Sequence, residues 1–190
     1  MKNAVIRGLI AAALFTPFTN AADYIIDDKG AHASINFKIK HLGYSWLTGR
    51  FDTFTGKFSY DPENISASMI EVHIDTSSIS SNHAERDKHL KGDDFLDVSQ
   101  FGSAHFISTS VTDNGNGSVS IKGKLNLHGV SKDVVINAEI VGEGEDPWGG
   151  YRAGFSGTTR LGLKDFGIDF ELGPQSTHVD LELNIEGVRQ

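Results

Sequence analysis

Residues 118–144 read SVSIKGKLNLHGVSKDVVINAEIVGEG. Val119, Ile121, Leu125 and Leu127 fall on alternate positions with Gly123 among them, while Ser120, Lys122, Lys124 and Asn126 point the other way. The alternation breaks over residues 128–132 and resumes at Val134, Ile136, Ala138 and Ile140. A period of two marks a strand buried on one face. A Gly-containing break between two such runs marks a hairpin. The stretch therefore predicts a long antiparallel hairpin, dry on one side and wet on the other.

The pattern recurs along the chain. Residues 31–41 put Ala33, Ile35, Phe37 and Ile39 on one face, and residues 51–60 do the same with Phe54, Gly56, Phe58 and Tyr60. Residues 68–76, 103–112, 151–163 and 177–188 supply further strands, and 24–27 is a short apolar lead-in. The segment 42–49, aromatic and bounded by glycines, is expected to be a loop or short helix. One helix is expected over 83–90, capped by Ser81 or Asn82 with Glu85 completing the cap, and stopped by Gly92. About eight alternating strands in one domain close into a barrel or fold into a sandwich. Eleven residues from 118 to 128 span roughly 36 Å as a strand. Long strands joined by short turns favour an up-and-down barrel, in which closure removes the exposed edges. The expected fold is all-β, an eight-stranded antiparallel barrel with one short helix.

The 190 residues suit a single domain, and 21 glycines with 4 prolines suit tight turns and barrel bends. A net charge of -8 argues against a nucleic-acid partner, because no basic stripe is present. The absence of cysteine excludes disulfides and thiolate chemistry. At the N-terminus, Lys2 and Arg7 precede an apolar run over 8–15, and Thr19 and Ala21 are small residues at the -3 and -1 positions of a cleavage site. This is a secretory signal peptide pattern, too short for the ~20 residues of a membrane span. The expected organisation is a leader over 1–21 and a barrel domain over 22–190, in the periplasm or secreted.

Five segments resemble one family. HLGYSWL at 41–47, NHAERDKHL at 82–90, DFL at 94–96, GKLNLHGVSK at 123–132 and DPWGGYRAGF at 146–155 are similar to the YceI-like, polyisoprenoid-binding, lipocalin-like proteins of the bacterial periplasm. The resemblance implies an extended eight-stranded barrel around an elongated apolar cavity. It implies an isoprenoid or quinone-like lipid as partner, and no cofactor.

The inward face is rich in phenylalanine. Pattern alone favours a filled core, since small barrels are often packed solid. The resemblance instead makes Phe37, Ile39, Phe54, Phe58, Phe106, Leu125, Leu127, Ala153 and Phe155 the cavity lining. Trp46, Arg86 and Trp148 are candidates for a mouth or gate. Arg86 and Lys88 could meet a polar headgroup, or the helix charges could pair locally, Glu85 with His89 and Arg86 with Asp87. No metal is expected, because His83 and His89 are six residues apart and lie on different helix faces. There is no Gly-x-Ser-x-Gly elbow, no H-E-x-x-H helix and no phosphate loop. The expected function is non-catalytic lipid binding, sequestration or transport. The rivals are an enzyme acting on such a lipid and a structural or stress-protective protein with a filled core. A homodimer is allowed.

The leader gives a direct test. The mass of protein isolated from the periplasmic fraction should correspond to a chain starting at Ala22. Full-length chain retained in the cytoplasm would contradict export.

Overall fold

The structure, a computed structural model, describes residues 21–30, 32–170 and 172–190. The leader proposed for 1–21 thus lies, except for Ala21, outside the described residues. Eleven strand segments and one helix follow in order: β1 (Ala22–Ile26), β2 (Ser34–His41), β3 (Ser45–Phe51), β4 (Phe54–Tyr60), β5 (Met69–Asp75), β6 (Ile79–Ser80), α1 (Ala84–Leu90), β7 (Ser103–Gly115), β8 (Ser118–Leu127), β9 (Val130–Glu145), β10 (Tyr151–Gly162) and β11 (His178–Arg189).

All pairings are antiparallel, and the sheet closes. Around the barrel the order is β1, β4, β5, β7, β8, β9, β10, β11 and back to β1. Segments β2, β3 and β6 continue β1, β4 and β5 towards the other end, with β2 on β11, β3 on β2 and β6 on β3. Three of the eight staves are therefore broken in the middle. The breaks brace one another: Asp75 N donates to Thr53 O at 3.0 Å, and Thr53 N donates to Ser78 Oγ at 3.0 Å.

The central hairpin has the register its sequence implies. Lys124 faces Asp133 and Leu125 faces Lys132 across β8 and β9. The turn is tighter than the five-residue break suggests. Only His128 and Gly129 separate the strands, both at positive φ, 52° and 70°, as a two-residue hairpin turn requires. His128 closes the turn against the core, its ring 4.5 Å from that of Phe101 and its Nδ1 3.1 Å from Phe166 O.

Two local expectations are corrected. Residues 42–49 are neither a loop nor a helix: a turn over 42–44 leads directly into β3. The inward positions of β3 are Leu47, Gly49 and Phe51, and Gly49 breaks the apolar alternation that would have marked a strand. It is glycine because the Phe37 ring of the paired strand lies where its Cβ would go. Gly123 stands under the Phe106 ring in the same way. In both places the neighbouring ring supplies the missing apolar volume. Helix α1 is capped by His83 rather than by Ser81 or Asn82, with His83 Nδ1 accepting from Arg86 N at 3.2 Å.

The register predicts opposite sensitivities on neighbouring residues. Leu125 is buried and Lys124 is exposed, paired with Asp133 at 2.9 Å. Leu125→Asp should destabilise by several kcal/mol, because it buries an unpaired carboxylate. Lys124→Asp loses an exposed ion pair and should cost about 1 kcal/mol or less. Melting curves showing the two equal or reversed would shift the strand by one residue.

Candidate ligand cavity

Inward side chains do not fill the barrel. One cavity of about 130 Å³ is lined by Phe58, Tyr60, Phe106, Ile136, Phe155 and Leu183 among others. A second, of about 330 Å³, is lined by Phe37, Ile39, Leu47, Phe95, Leu127 and Leu172 among others. Ile35, Ile74, Leu125 and Leu181 belong to both walls, so the two spaces lie end to end. Along β11 the wall runs through Ile185, Leu183, Leu181 and Val179. Six residues of strand span about 20 Å.

Both walls are almost wholly apolar. Most inward strand positions contribute an aliphatic or aromatic side chain, with Gly157 and Thr159 of β10 among the exceptions. At one end Tyr24 and Phe58 stack at 4.9 Å, and Phe155 meets Phe58 and Tyr60 edge-on at 5.4 and 5.2 Å. Burial pushes the Tyr24 and Tyr60 hydroxyls above their ordinary pKa, so both stay neutral. Ser68 Oγ, on this wall, is buried without a hydrogen-bond partner.

The other end is built from α1, the β2–β3 hairpin and the segment after β10. Leu90 of α1, Phe95, Leu96 and Ile168 close over the strands, and His41, Arg86 and His89 bring the polar atoms. Arg86 also lines an outer groove of about 810 Å³ that holds Trp46, His41, Phe37 and Arg50. With Phe37, His41 and Leu47, which also line both spaces, it stands between inside and outside. Its Nε donates to Ser81 Oγ at 2.7 Å and its Nη2 to Ser81 O at 2.6 Å. Asp87 holds Ser81 from the opposite side, accepting from Ser81 N at 2.7 Å and from its hydroxyl. Burial disfavours the Asp87 charge, but the Ser81 hydrogen bonds and the charges of Arg86 and Lys91 outweigh it and lower its pKa. His89 pairs with Asp94 at 2.9 Å, and its ring meets Phe95 and Phe170 edge-on.

A further cleft lies in the wall. Strands β9 and β10 pair only from Tyr151↔Glu145 to Thr158↔Asn137. Beyond that they part, and a cleft of about 610 Å³ runs between them. Its floor includes Val134, Thr159, Leu161 and Leu181, which also face the interior cavities.

Of the residues read from the sequence, Phe37, Ile39, Phe58, Phe106, Leu125, Leu127 and Phe155 lie on the cavity walls. Phe54 and Ala153 do not. Both are packed in the cluster around Tyr24 and Ile26, Ala153 being 1% exposed. Arg86 and Trp46 stand at the α1 end. Trp148 is at the opposite end, 79% exposed and 5.9 Å from the Arg152 guanidinium, so it does not guard the same opening. Sequence reasoning missed His41, Leu163, Ile168 and Leu172. His41 is the last residue of β2 and the other three follow β10, where alternation no longer says which way a side chain points.

The Trp148 end is held by charge. Arg152 bonds Asp27 at 2.6 Å, Asp146 at 2.9 Å and Glu186 at 2.6 Å. Asp27 follows β1, Asp146 opens the β9–β10 turn and Glu186 is on β11, so one guanidinium ties three elements together. The Arg152 hydrogen bond, helped by the Gly30 amide, lowers the Asp27 pKa to about 2. The Gly150 amide and then Arg152 lower that of Asp146.

Residues 24–187 match the YceI-like domain. This chain belongs to the YceI-like family. It is 58% identical to a UPF0312 protein of Vibrio cholerae over 191 residues, covering all of both chains. It is similar to the Campylobacter jejuni YceI protein, with a TM-score of 0.72 at 24% identity over 97% of this chain and 99% of that one. A polyisoprenoid-binding domain from Saccharophagus degradans has the same fold, with a TM-score of 0.65 at 14% identity over 90% of this chain and all of that one.

Depressed carboxylate pKa values set a pH window for this end of the barrel. The stabilisation is present above the ordinary aspartate pKa near 4 and is lost as pH falls through the folded value, about 2 for Asp27. Arg152→Gln should therefore lower the melting temperature at pH 7, and the difference from wild type should shrink between pH 4 and pH 2. A difference independent of pH would mean that Arg152 acts by packing alone.

Proposed function

We propose that this protein binds an amphipathic lipid with an isoprenoid or quinone-like tail in the joined cavities, without chemical change to it. The observation that carries this reading is the length and dryness of the interior. An extended hydrocarbon chain advances roughly 1.25 Å per carbon, the projection of a ~1.5 Å bond. About 20 Å of wall then takes roughly 16 chain carbons, or about four isoprene units. The volumes agree. An apolar cavity of about 150 Å³ takes a benzene ring, or ~25 Å³ per carbon. On that scale the two cavities take roughly 18 carbons. Burying a chain of this length is worth about 0.8 kcal/mol per carbon before ordering costs, enough for tight binding.

Apolar contact of this kind does not discriminate among tails. Selection falls to the cavity length and to the polar groups at the α1 end, with Arg86 beside the headgroup and Trp46 in the groove outside. The polyisoprenoid-binding function of the Saccharophagus degradans relative supports the same ligand class. The polar side chains His41, Arg86 and His89 are confined to the α1 end of the wall, away from the length of a buried chain, which favours carriage. The leader pattern at 1–21 puts this role in the periplasm.

Ala104 tests the reading. It lines the larger cavity, belongs to none of the four buried core clusters, and is buried. Ala104→Trp should abolish geranylgeraniol binding while leaving the melting temperature nearly unchanged, because the indole fills empty space. In a solid core the same change would overpack and cost about 1–3 kcal/mol. Retained binding, or a large melting loss with no binding in the wild type, would remove the proposal.

A further inference from the structure

On the outer wall, opposite the cavities, β5 and β7 carry a polar cluster that the lipid site does not use. His73 of β5 and His105 of β7 are direct cross-strand partners. Their imidazoles stack with centroids 4.2 Å apart and planes 10° from parallel. Glu71, two residues before His73, shares its face. Glu71 Oε1 lies 3.2 Å from His73 Nε2 and 3.4 Å from His105 Nε2, and the three atoms all fall within 4.8 Å of one another. His105 Nε2 is buried without a hydrogen bond.

We propose that Glu71, His73 and His105 form a site for one divalent transition-metal ion of the zinc or copper class. Two imidazoles and a carboxylate are the donor set those ions prefer. The spacing fits as well. Ligand atoms about 2.05 Å from a tetrahedral ion stand about 3.3 Å apart, and both Glu71–His separations match this. Tilting the parallel rings turns both Nε2 lone pairs onto one point. A three-ligand site on an outer wall leaves a fourth position open to water or to a further ligand. Lys57 is the competing cation, with its Nζ 3.3 Å from Glu71 Oε2.

A second His–carboxylate group differs in one respect. Asp27, His32 and Glu186 also converge, but Arg152 already occupies both of their carboxylates. It serves as the internal control. The sequence reading expected no metal because it looked for two histidines on one helix face. A pair 32 residues apart becomes a pair only once the register of β5 on β7 is known.

The test uses untagged protein and zinc ion alone, by equilibrium dialysis, with cobalt absorption as a second readout. One zinc per chain is expected. His73→Ala and His105→Ala should each weaken binding by about tenfold or more and abolish the four-coordinate cobalt band, and His32→Ala should change neither. Lys57→Ala should tighten binding by removing the competing charge. Glu71→Gln keeps the shape, loses the carboxylate and should weaken binding without altering the metal-free melting curve. The proposal fails if wild type binds no more zinc than the double variant His73→Ala/His105→Ala. It also fails if His32→Ala, rather than the β5–β7 variants, removes the ion.

Discussion

Closure of the hydrogen-bonded wall is the constraint on which the rest depends. Strand β11 must satisfy β10 on one side along its whole length and the first stave on the other. It pairs with β1 over Gly187–Arg189 and with β2 over Val179–Asn184. Between those two pairings β11 advances three residues, from 187 to 184, while the first stave advances eight, from 26 to 34. The excess leaves as the excursion between β1 and β2. That excursion places Asp27 and His32 beside Glu186, and Arg152 locks it there. Where the wall is closed it presents no edge for aggregation, and the cleft between β9 and β10 is an exception. Closure also fixes an interior whose width is set by strand number rather than by the side chains available to fill it. The cavity follows from that mismatch.

The fold was largely legible in the sequence because alternation is a direct record of a closed, one-sided sheet. Residues 118–144 carry that record on either side of one break, and the observed register of β8 on β9 agrees with it. It fails where one strand borrows volume from another. Gly49 is silent in the sequence because the Phe37 ring occupies its place, so β3 reads as a loop. The cavity was less legible for the same physical reason. Alternation identifies inward residues but does not say whether opposite walls touch. Phe54 and Ala153 obey the pattern as well as Phe58 and Phe155 do, yet they are packed in the cluster around Tyr24 and Ile26 and line neither cavity.

The two ends of the barrel divide the work. At the Arg152 end aromatic rings pack beside a charge network that draws on the residue after β1, β10, β11 and the β9–β10 turn. The α1 end is assembled from the β2–β3 hairpin, which the ladder holds through β11, together with a short helix and the 3₁₀ turn Leu163–Phe166, which stand outside the ladder. The cleft where β9 and β10 part adjoins that turn and is floored by cavity residues. The same outer wall that encloses the lipid space through Ala104 and Phe106 carries His105 between them, so inside and outside chemistry alternate on one strand.

The central claim is that the interior holds a chain-like lipid. Organic-solvent extraction of protein purified from its native compartment, followed by mass spectrometry and quantitation against protein, tests it most directly. The account predicts close to one lipid per chain, with a branched unsaturated tail long enough to occupy both cavities. Protein that yields no lipid, and that takes up none when offered isoprenoid alcohols, would contradict it.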